Sequence, residues 1–403
     1  MKHSKIIFNT LRGGLTGLFL LCLTTVFAQQ APASVEPVED MDMDSVEISL
    51  LTCEPHDEVY SLYGHTAIRY HDKRHGGLDA AFNYGVFDFR KPFFALRFVF
   101  GITDYELGAY PYRLFKKEYE YFGSEVTEQV INLTDEEKLQ LRLALAENML
   151  PENTVYRYNF FYNNCTTKAR DIIEKCINGR IEYVGYKEDT ISYREVVHAM
   201  TADYPWARFG NDLLLGIQAD QPTTTRQQEF LPGHLMHDFR NAVIHAEDGT
   251  TRPLVQEERI AVPAGTPVVQ SGFPLSPLAC GLVILGIGIL LFVMEFRNKR
   301  AFLLWDILLM VGTGALGIVL FLMIFSEHPT VSINLQLLLF NPLPWFFLWP
   351  VIKRRQTRYW QVTFVLFFLF MLGSLFQHYA EGLWCLALCL LLQSYIHIFR
   401  NAQ

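Results

Sequence analysis

Apolar and polar positions divide the 403-residue chain into a part where they alternate and a part dominated by long apolar runs. After residue 273, apolar stretches cover roughly 275–296, 302–325, 335–352, 359–377 and 381–399. Most approach the ~20 residues that a helix needs to cross a bilayer. The third is interrupted by Asn341-Pro342-Leu343-Pro344. Before residue 274 the periods are shorter. Val46–Thr52, Ser61–Tyr70 and Ala80–Asp88 read as strands, the last two paired across the turn Asp72–Gly77. Thr134–Met149 reads as a helix capped by Thr134 with Glu137 completing a capping box, and Leu139, Leu143 and Leu150 fall along its expected apolar face. Asn163-Asn164-Cys165 opens a further helix that stops at Asn178-Gly179. No internal repeat is visible.

The chain start is different again. Lys2, Lys5 and Arg12 precede an apolar run, Gly14 to Phe27, which ends in Val26-Phe27-Ala28. That is the pattern of a signal peptide over 1–28, cleaved after Ala28; an uncleaved anchor is the alternative. Residues 29–47, rich in Ala, Pro, Glu and Asp, read as an acidic linker that buries too little to fold. The expected organisation is completed by a periplasmic domain over 48–273 and a transmembrane domain over 274–403.

Charge supports this division. The whole chain has 19% charged residues and a formal net charge of −8, against about 25% charged in a soluble protein. Residues 29–273 hold 23 Lys+Arg against 38 Asp+Glu, while 274–403 hold 8 against 4. An acidic body lacks the basic surface that nucleic acid requires. In the apolar part, the basic residues cluster in 297–301 (Arg297, Lys299, Arg300) and 352–359 (Lys353, Arg354, Arg355, Arg358), and the alternate loops carry none. The positive-inside rule puts those two loops and the C-terminus in the cytoplasm, with 29–273 outside.

Candidate chemistry centres on Cys165. A thiol at a helix N-terminus, beside the capping residues Asn163 and Asn164, meets free backbone N–H groups and the positive end of the helix dipole, which lower its pKa. The same groups can hold an oxyanion. Cys176, among Ile172, Ile173 and Ile177, reads as core. A thiolate needs a base, and His65, in Tyr63-Gly64-His65-Thr66-Ala67, follows a glycine that admits close approach. Asn83 on the next strand is the choice to orient the imidazole, with Asp88, His71 and His75 as alternatives. Tyr63 and Asn164, next to the pair, are candidate substrate contacts. Cys53-x2-His56 and His71-x3-His75 resemble zinc-ligand spacings, but Lys73 and Arg74 mark a solvated turn, so no metal is expected. Cys53, Cys165 and Cys176 are an odd number for an oxidising compartment.

Residues 82–122 hold fifteen aromatics. Within them, the stretch from Phe93 to Phe100 is apolar enough for an acyl-chain groove or a membrane-dipping element. Glu327, His328, Asn334, Asn341, His378 and Glu381, at the outer edge of the spans, are candidates for a lipid-headgroup site.

The set Tyr63-Gly64-His65-Thr66-Ala67-Ile68-Arg69, Phe82-Asn83-Tyr84-Gly85-Val86-Phe87-Asp88 and Asn163-Asn164-Cys165-Thr166-Thr167 resembles the periplasmic domain of the Lnb-type lipoprotein N-acyltransferases. Glu327-His328-Pro329, Asn334 and Asn341-Pro342-Leu343 extend the resemblance to the membrane part. It implies an α+β chain, in which a circularly permuted papain-like thiol-enzyme domain precedes a five-helix transmembrane domain of a bacterial inner membrane. It implies Cys165 as acyl acceptor, His65 as base, a phospholipid donor, a diacylated lipoprotein as acceptor, and no cofactor. Glu327, His328, Asn334 and Asn341 would contact substrate. The competing readings are a papain-like peptidase or amidase acting on cell-wall peptide, which would need no spans, and a non-catalytic membrane scaffold.

Overall fold

Side chains that point to opposite faces along each strand build the first half of the chain around a seven-stranded sheet, beside which lie two small sheets of three and two strands. The computed structural model describes residues 42–400, except 59–60, 89, 91, 186–187, 269–271 and 356–357. The expected signal peptide and most of the expected linker lie outside the described residues. Strands β1 (Val46–Cys53), β2 (His65–Asp72), β3 (Asp79–Val86), β4 (Asp104–Pro111), β5 (Val126–Ile131), β6 (Val155–Arg157) and β7 (Val255–Val262) form a sheet in the order β7-β5-β1-β2-β3-β4-β6. Every neighbouring pair in it is antiparallel. β1 already starts at Val46, two residues inside the expected linker.

The expected strand over 61–70 starts late, at His65, because Gly64 turns the chain with φ +74. A side chain at Gly64 would also meet the Cys53 carbonyl at 2.6 Å. Helix α1 (Phe94–Val99) is short, and α2 (Tyr112–Phe122) packs Tyr112, Phe115 and Tyr119 against Leu51, Cys53 and Ala67 of the sheet. Helix α3 (Asp135–Asn148) carries the expected Thr134/Glu137 capping box. Its buried face is not the expected one. Glu137 pairs with Arg252 and turns inward, so Leu141 and Leu145, one and two turns on, are buried, while Leu143 and Leu150 are exposed. Helix α4 (Cys165–Lys175) lies against β2 and β3 through Ala169, Ile172 and Ile173. Helices α5 (Tyr193–Met200), α6 (Pro205–Leu214) and α7 (Pro232–Asn241) complete this half.

The second half is helical: α8 (Pro277–Asn298), α9 (Leu303–Met323), α10 (Leu343–Ile352), α11 (Tyr359–Gly373) and α12 (Leu383–Tyr395). Among the described residues, 277–298, 303–323 and 335–352 are long and apolar enough to cross a membrane, and 359–373 and 383–399 are shorter apolar helices. In the third, a 3-10 turn (Leu335–Leu338) precedes the proline-rich start of α10, where Pro342 and Pro344 supply no N–H to a continuous helix.

The two halves are joined by buried hydrogen bonds at the end of α6. Gly216 and Ile217 donate backbone N–H groups to the carbonyls of Thr330 and Ile333, both at 2.8 Å. Asn334 Nδ2 donates to Leu213 O at 2.9 Å, Gln336 Nε2 to Asp212 O at 2.7 Å and Gln377 Nε2 to Leu215 O at 3.2 Å. Arg194, 2% exposed, supports the same turn. It pairs with Asp212 and Asp220 and donates to the Leu215 and Gly216 carbonyls.

Candidate active site

Asn164 and Cys165 define the start of α4. Asn164 Oδ1 accepts from the N–H groups of Thr166 at 3.0 Å and Thr167 at 2.9 Å, and Thr167 Oγ1 accepts from Asn164 N. Asn164 Nδ2 donates to the carbonyls of Phe160 and Phe230. Asn164 is therefore buried and occupied on both sides of its amide, and its cap fixes the start of the helix that carries Cys165. The cap also leaves something over. It takes the second and third amides of the helix, while the Cys165 N–H has no partner among the described residues.

His65, the first residue of β2, lies at the end of the sheet where α4 arrives. Thr66 and Thr166, side by side in the two motifs, hold the elements together through their hydroxyls at 3.1 Å, both fully buried. Cys165 is partly exposed. Burial alone would raise its thiol, but the charge of His65, a hydrogen bond from it and the Thr66 backbone outweigh this and lower it to about 7. Burial likewise disfavours a charged His65, yet Cys165 and Asn83 together raise its pKa. The arrangement favours a thiolate–imidazolium pair. Cys53, opposite His65 in the sheet, shows the contrast: enclosed by the core and near Tyr119, its thiol is pushed up by burial.

Asn83 lies near the imidazole at a β-bulge: its Oδ1 and His65 Cε1 both flank the place a Cβ on Gly85 would take. The β3–β4 register shifts between Asn83 and Val86, and Asn83 Oδ1 accepts from Gly85 N at 2.6 Å. Such bulges re-aim side chains. The alternatives for this position are elsewhere: Asp88 pairs with Arg90, and His71 and His75 sit at the far end of β2 and on the turn beyond it. Gly85 is the residue that sequence reasoning missed. A Cβ there would meet His65 Cε1 at 2.8 Å and Asn83 Oδ1 at 3.0 Å, so its lack of a side chain makes the room that the ring occupies. A glycine two residues after a polar candidate was the available signal.

Tyr63 donates no anchor to the thiol. It lies edge-on to Phe160 and its hydroxyl accepts from Asn211 of α6 at 2.5 Å, tying the loop before His65 to the helix that meets the bundle. Around Cys165, burial raises the phenols of Tyr105, Tyr156 and Tyr158, each also sensing the sulfur's charge. From there aromatic rings continue outward. Tyr158 stacks on Tyr105 at 3.9 Å, Tyr105 on Phe87 at 4.9 Å, and Phe87 on Phe94 at 6.0 Å. The track ends on α1, whose Phe93, Leu96 and Phe98 are exposed. Phe93 adopts φ 57, uncommon for a bulky residue.

The six outer-edge residues of the spans do not form one site. Glu327 pairs with Arg157 at 2.8 Å and its N–H donates to Phe100 O, and the His328 ring lies 6.2 Å from Phe98, so these two meet the end of the aromatic track. Asn334 is buried in the joint between the halves, where its amide is fully engaged. Asn341 is also buried, its Oδ1 accepting from Leu343 N and its backbone against Gly317. The His378 N–H donates to Asp220. Glu381 lines an apolar cleft of about 360 Å³ with Trp206, Phe209 and Leu308. Asn334 and Asn341 are thus buried, with side chains bonded to backbone groups of the turns they sit in.

The cysteines of the described residues, Cys53, Cys165, Cys176, Cys280, Cys385 and Cys389, are all free thiols. Cys53, His56, His71 and His75 do not gather into a group of three or more metal-ligand side chains among the described residues.

Two family models match the chain. The Lnb N-terminal periplasmic domain covers residues 35–199, and the Lnb transmembrane domain covers 269–403. No curated protein and no solved structure matches it.

Proposed function

The chain belongs to the Lnb-type family, a periplasmic domain followed by a C-terminal membrane part, and from that premise we propose that it is a thiol-dependent lipoprotein N-acyltransferase. The family domains make it a multi-pass membrane protein of the lipoprotein-biogenesis type. In our reading the C-terminus is cytoplasmic, as the basic loops require. The observation that carries the chemistry is the Cys165–His65 pair at a helix N-terminus, in a domain joined to the bundle by buried hydrogen bonds.

The Cys165 thiolate attacks an ester carbonyl of a phospholipid. The carbonyl oxygen becomes an oxyanion, for which the unpartnered Cys165 N–H at the helix start is an available donor. The intermediate collapses, the C–O bond breaks, and the His65 imidazolium gives its proton to the leaving lysophospholipid. Cys165 is left as a thioester. The α-amino group of a diacylated lipoprotein then attacks the thioester carbonyl, His65 takes the amine proton, an amide forms and the thiolate is released. Two easier transfers replace one slow aminolysis. Asn83 orients the imidazole, and Gly85 leaves it room. The rings from Tyr158 to Phe94 are the proposed path for an acyl chain, with Phe93, Leu96 and Phe98 dipping into the bilayer surface.

The test is mass spectrometry of lipoprotein N-termini from cells with the protein, without it, and with Cys165→Ala. Triacylated N-termini are expected only with the intact protein, together with a hydroxylamine-labile adduct on Cys165. Unchanged diacyl-to-triacyl ratios across the three would overturn the reading. A peptidase would share the thiol but has no use for the joint to the bundle.

A further inference from the structure

A cavity of about 690 Å³ opens at the end of the helix bundle away from Cys165. Lys299, Arg300, Arg354, Arg355 and Arg358 line it. Among the described residues, none of these five makes an ion pair or a side-chain hydrogen bond. The one lining carboxylate, Asp306, is 2% exposed and accepts from His397 Nε2 at 2.9 Å and Gln393 Nε2 at 2.8 Å, so its charge is engaged inside the bundle. The back wall is the buried Trp360, stacked flat on His397 at 4.1 Å.

Membrane topology alone asks for basic residues in these loops. It does not ask that they converge on a cavity. Arg297 and Lys353 belong to the same two loops and are not among the lining residues, so charge in the loop and charge facing the cavity are separable. The ends of α8 and α10 at the rim carry about half a negative charge each, which leaves most of five positive charges uncompensated. Two of the three non-glycine residues with positive φ among those described, Lys299 and Arg354, are here. Glycine is the usual choice at such helix ends, and a cation is held there instead.

We propose that this cavity binds the phosphate of an anionic phospholipid headgroup, drawn from the leaflet at the basic end of the bundle. Guanidinium forks suit phosphate oxygens in pairs, and basic pockets between spans are a recognised setting for such headgroups. The glycerol backbone would leave along the apolar bundle wall. The site is independent of the thiol chemistry, since it lies at the other end of the spans.

The experiment uses the full chain in vesicles of phosphatidylethanolamine with a minority of phosphatidylglycerol, followed by native mass spectrometry of the lipid that stays bound after extraction. Phosphatidylglycerol is expected to be enriched several-fold over its bulk share. The double variant Arg354→Gln, Arg358→Gln returns it to the bulk share. The matched-charge control Arg297→Gln, Lys353→Gln keeps the enrichment. Iodoacetamide labelling of Cys165 at the wild-type rate shows that each variant is folded. No enrichment in the wild type, or equal loss in the control, overturns the proposal. Displacement of the bound lipid by millimolar inorganic phosphate also overturns it, in favour of a soluble phosphate ligand.

Discussion

At the scale of single residues, the reactivity of Cys165 depends on which of two opposing effects wins. Burial would hold the proton on sulfur, and the neighbouring imidazole, charged once it has taken that proton, stabilises the thiolate, with the balance near 7. A lowered thiol pKa means that the thiolate is present above that value and lost below it. The rate of alkylation of Cys165 by iodoacetamide should therefore rise through about pH 7. In His65→Ala only burial and the weaker contacts remain, so the midpoint moves above the ordinary thiol range of ~8.5. Acyl transfer in that variant should fall about 10²–10⁴-fold, the usual worth of a positioned acid–base. An unmoved midpoint would separate the two side chains. Gly85 gives a sharper test. Its backbone is not in the left-handed region, so Gly85→Ala costs no backbone strain, yet its methyl group would stand 2.8 Å from His65 Cε1. We expect a loss of about 10²-fold in acyl transfer, the scale of an ångström misplacement, with an unchanged melting temperature. Full activity would mean that the ring has room elsewhere. His65 and Cys165 were legible in the sequence through their motifs. Gly85 was not, because the need for an absent side chain shows only once the ring is beside it.

At the scale of elements, α1 and the turn after α6 do different work. Helix α1 is too short to be stable by itself and carries exposed Phe93, Leu96 and Phe98 beside the 326–328 loop of the spans. Phe93→Glu with Leu96→Glu should lower acyl transfer from vesicles while leaving alkylation of Cys165 unchanged. Equal loss of both readings would make α1 a piece of the fold and not a membrane contact. The turn after α6 depends on Arg194. Removing it in Arg194→Ala leaves Asp212, 2% exposed, without its guanidinium, and leaves the Leu215 and Gly216 carbonyls with one donor each, Gln377 Nε2 and the Ala219 N–H. Breaking a buried pair this way costs about 3–5 kcal/mol, which thermal or denaturant unfolding of the purified protein would register. A change within experimental scatter would mean that His198, also on Asp212, suffices. Neither role could be read from local pattern. The α3 face was misjudged for the same reason: leucines at several helical spacings were available, and the buried pair of Glu137 with Arg252, more than a hundred residues apart, selected among them.

At the scale of the whole molecule, the thiol domain and the bundle share buried hydrogen bonds, which matters because a thiol far above the bilayer would not reach a lipid ester. Backbone amides bonded inside such a joint exchange slowly. The N–H groups of Gly216 and Ile217 should be among the slowest outside the sheet and the spans, and Asn334→Ala with Gln336→Ala should speed them markedly. Fast exchange in the wild type would mean that the halves part readily.

The division into an alternating half and an apolar half, the five apolar stretches, the capped helix that starts at Cys165 and the thiol–imidazole candidates were determined by the sequence itself. Each rests on short-range physics: a period of two or 3.6, a capping side chain, a run long enough for a bilayer, a charge bias between loops. What the tertiary structure alone decided was which residues meet across long separations. It bonded the buried Asn164 and Asn334 to the carbonyls of Phe230 and Leu213, joined Asp212 to Gln336, and drew five basic residues from two loops around one cavity. Such contacts depend on how strands, helices and loops pack in three dimensions, and a residue's chemistry does not reveal in advance which neighbour will be pressed against it.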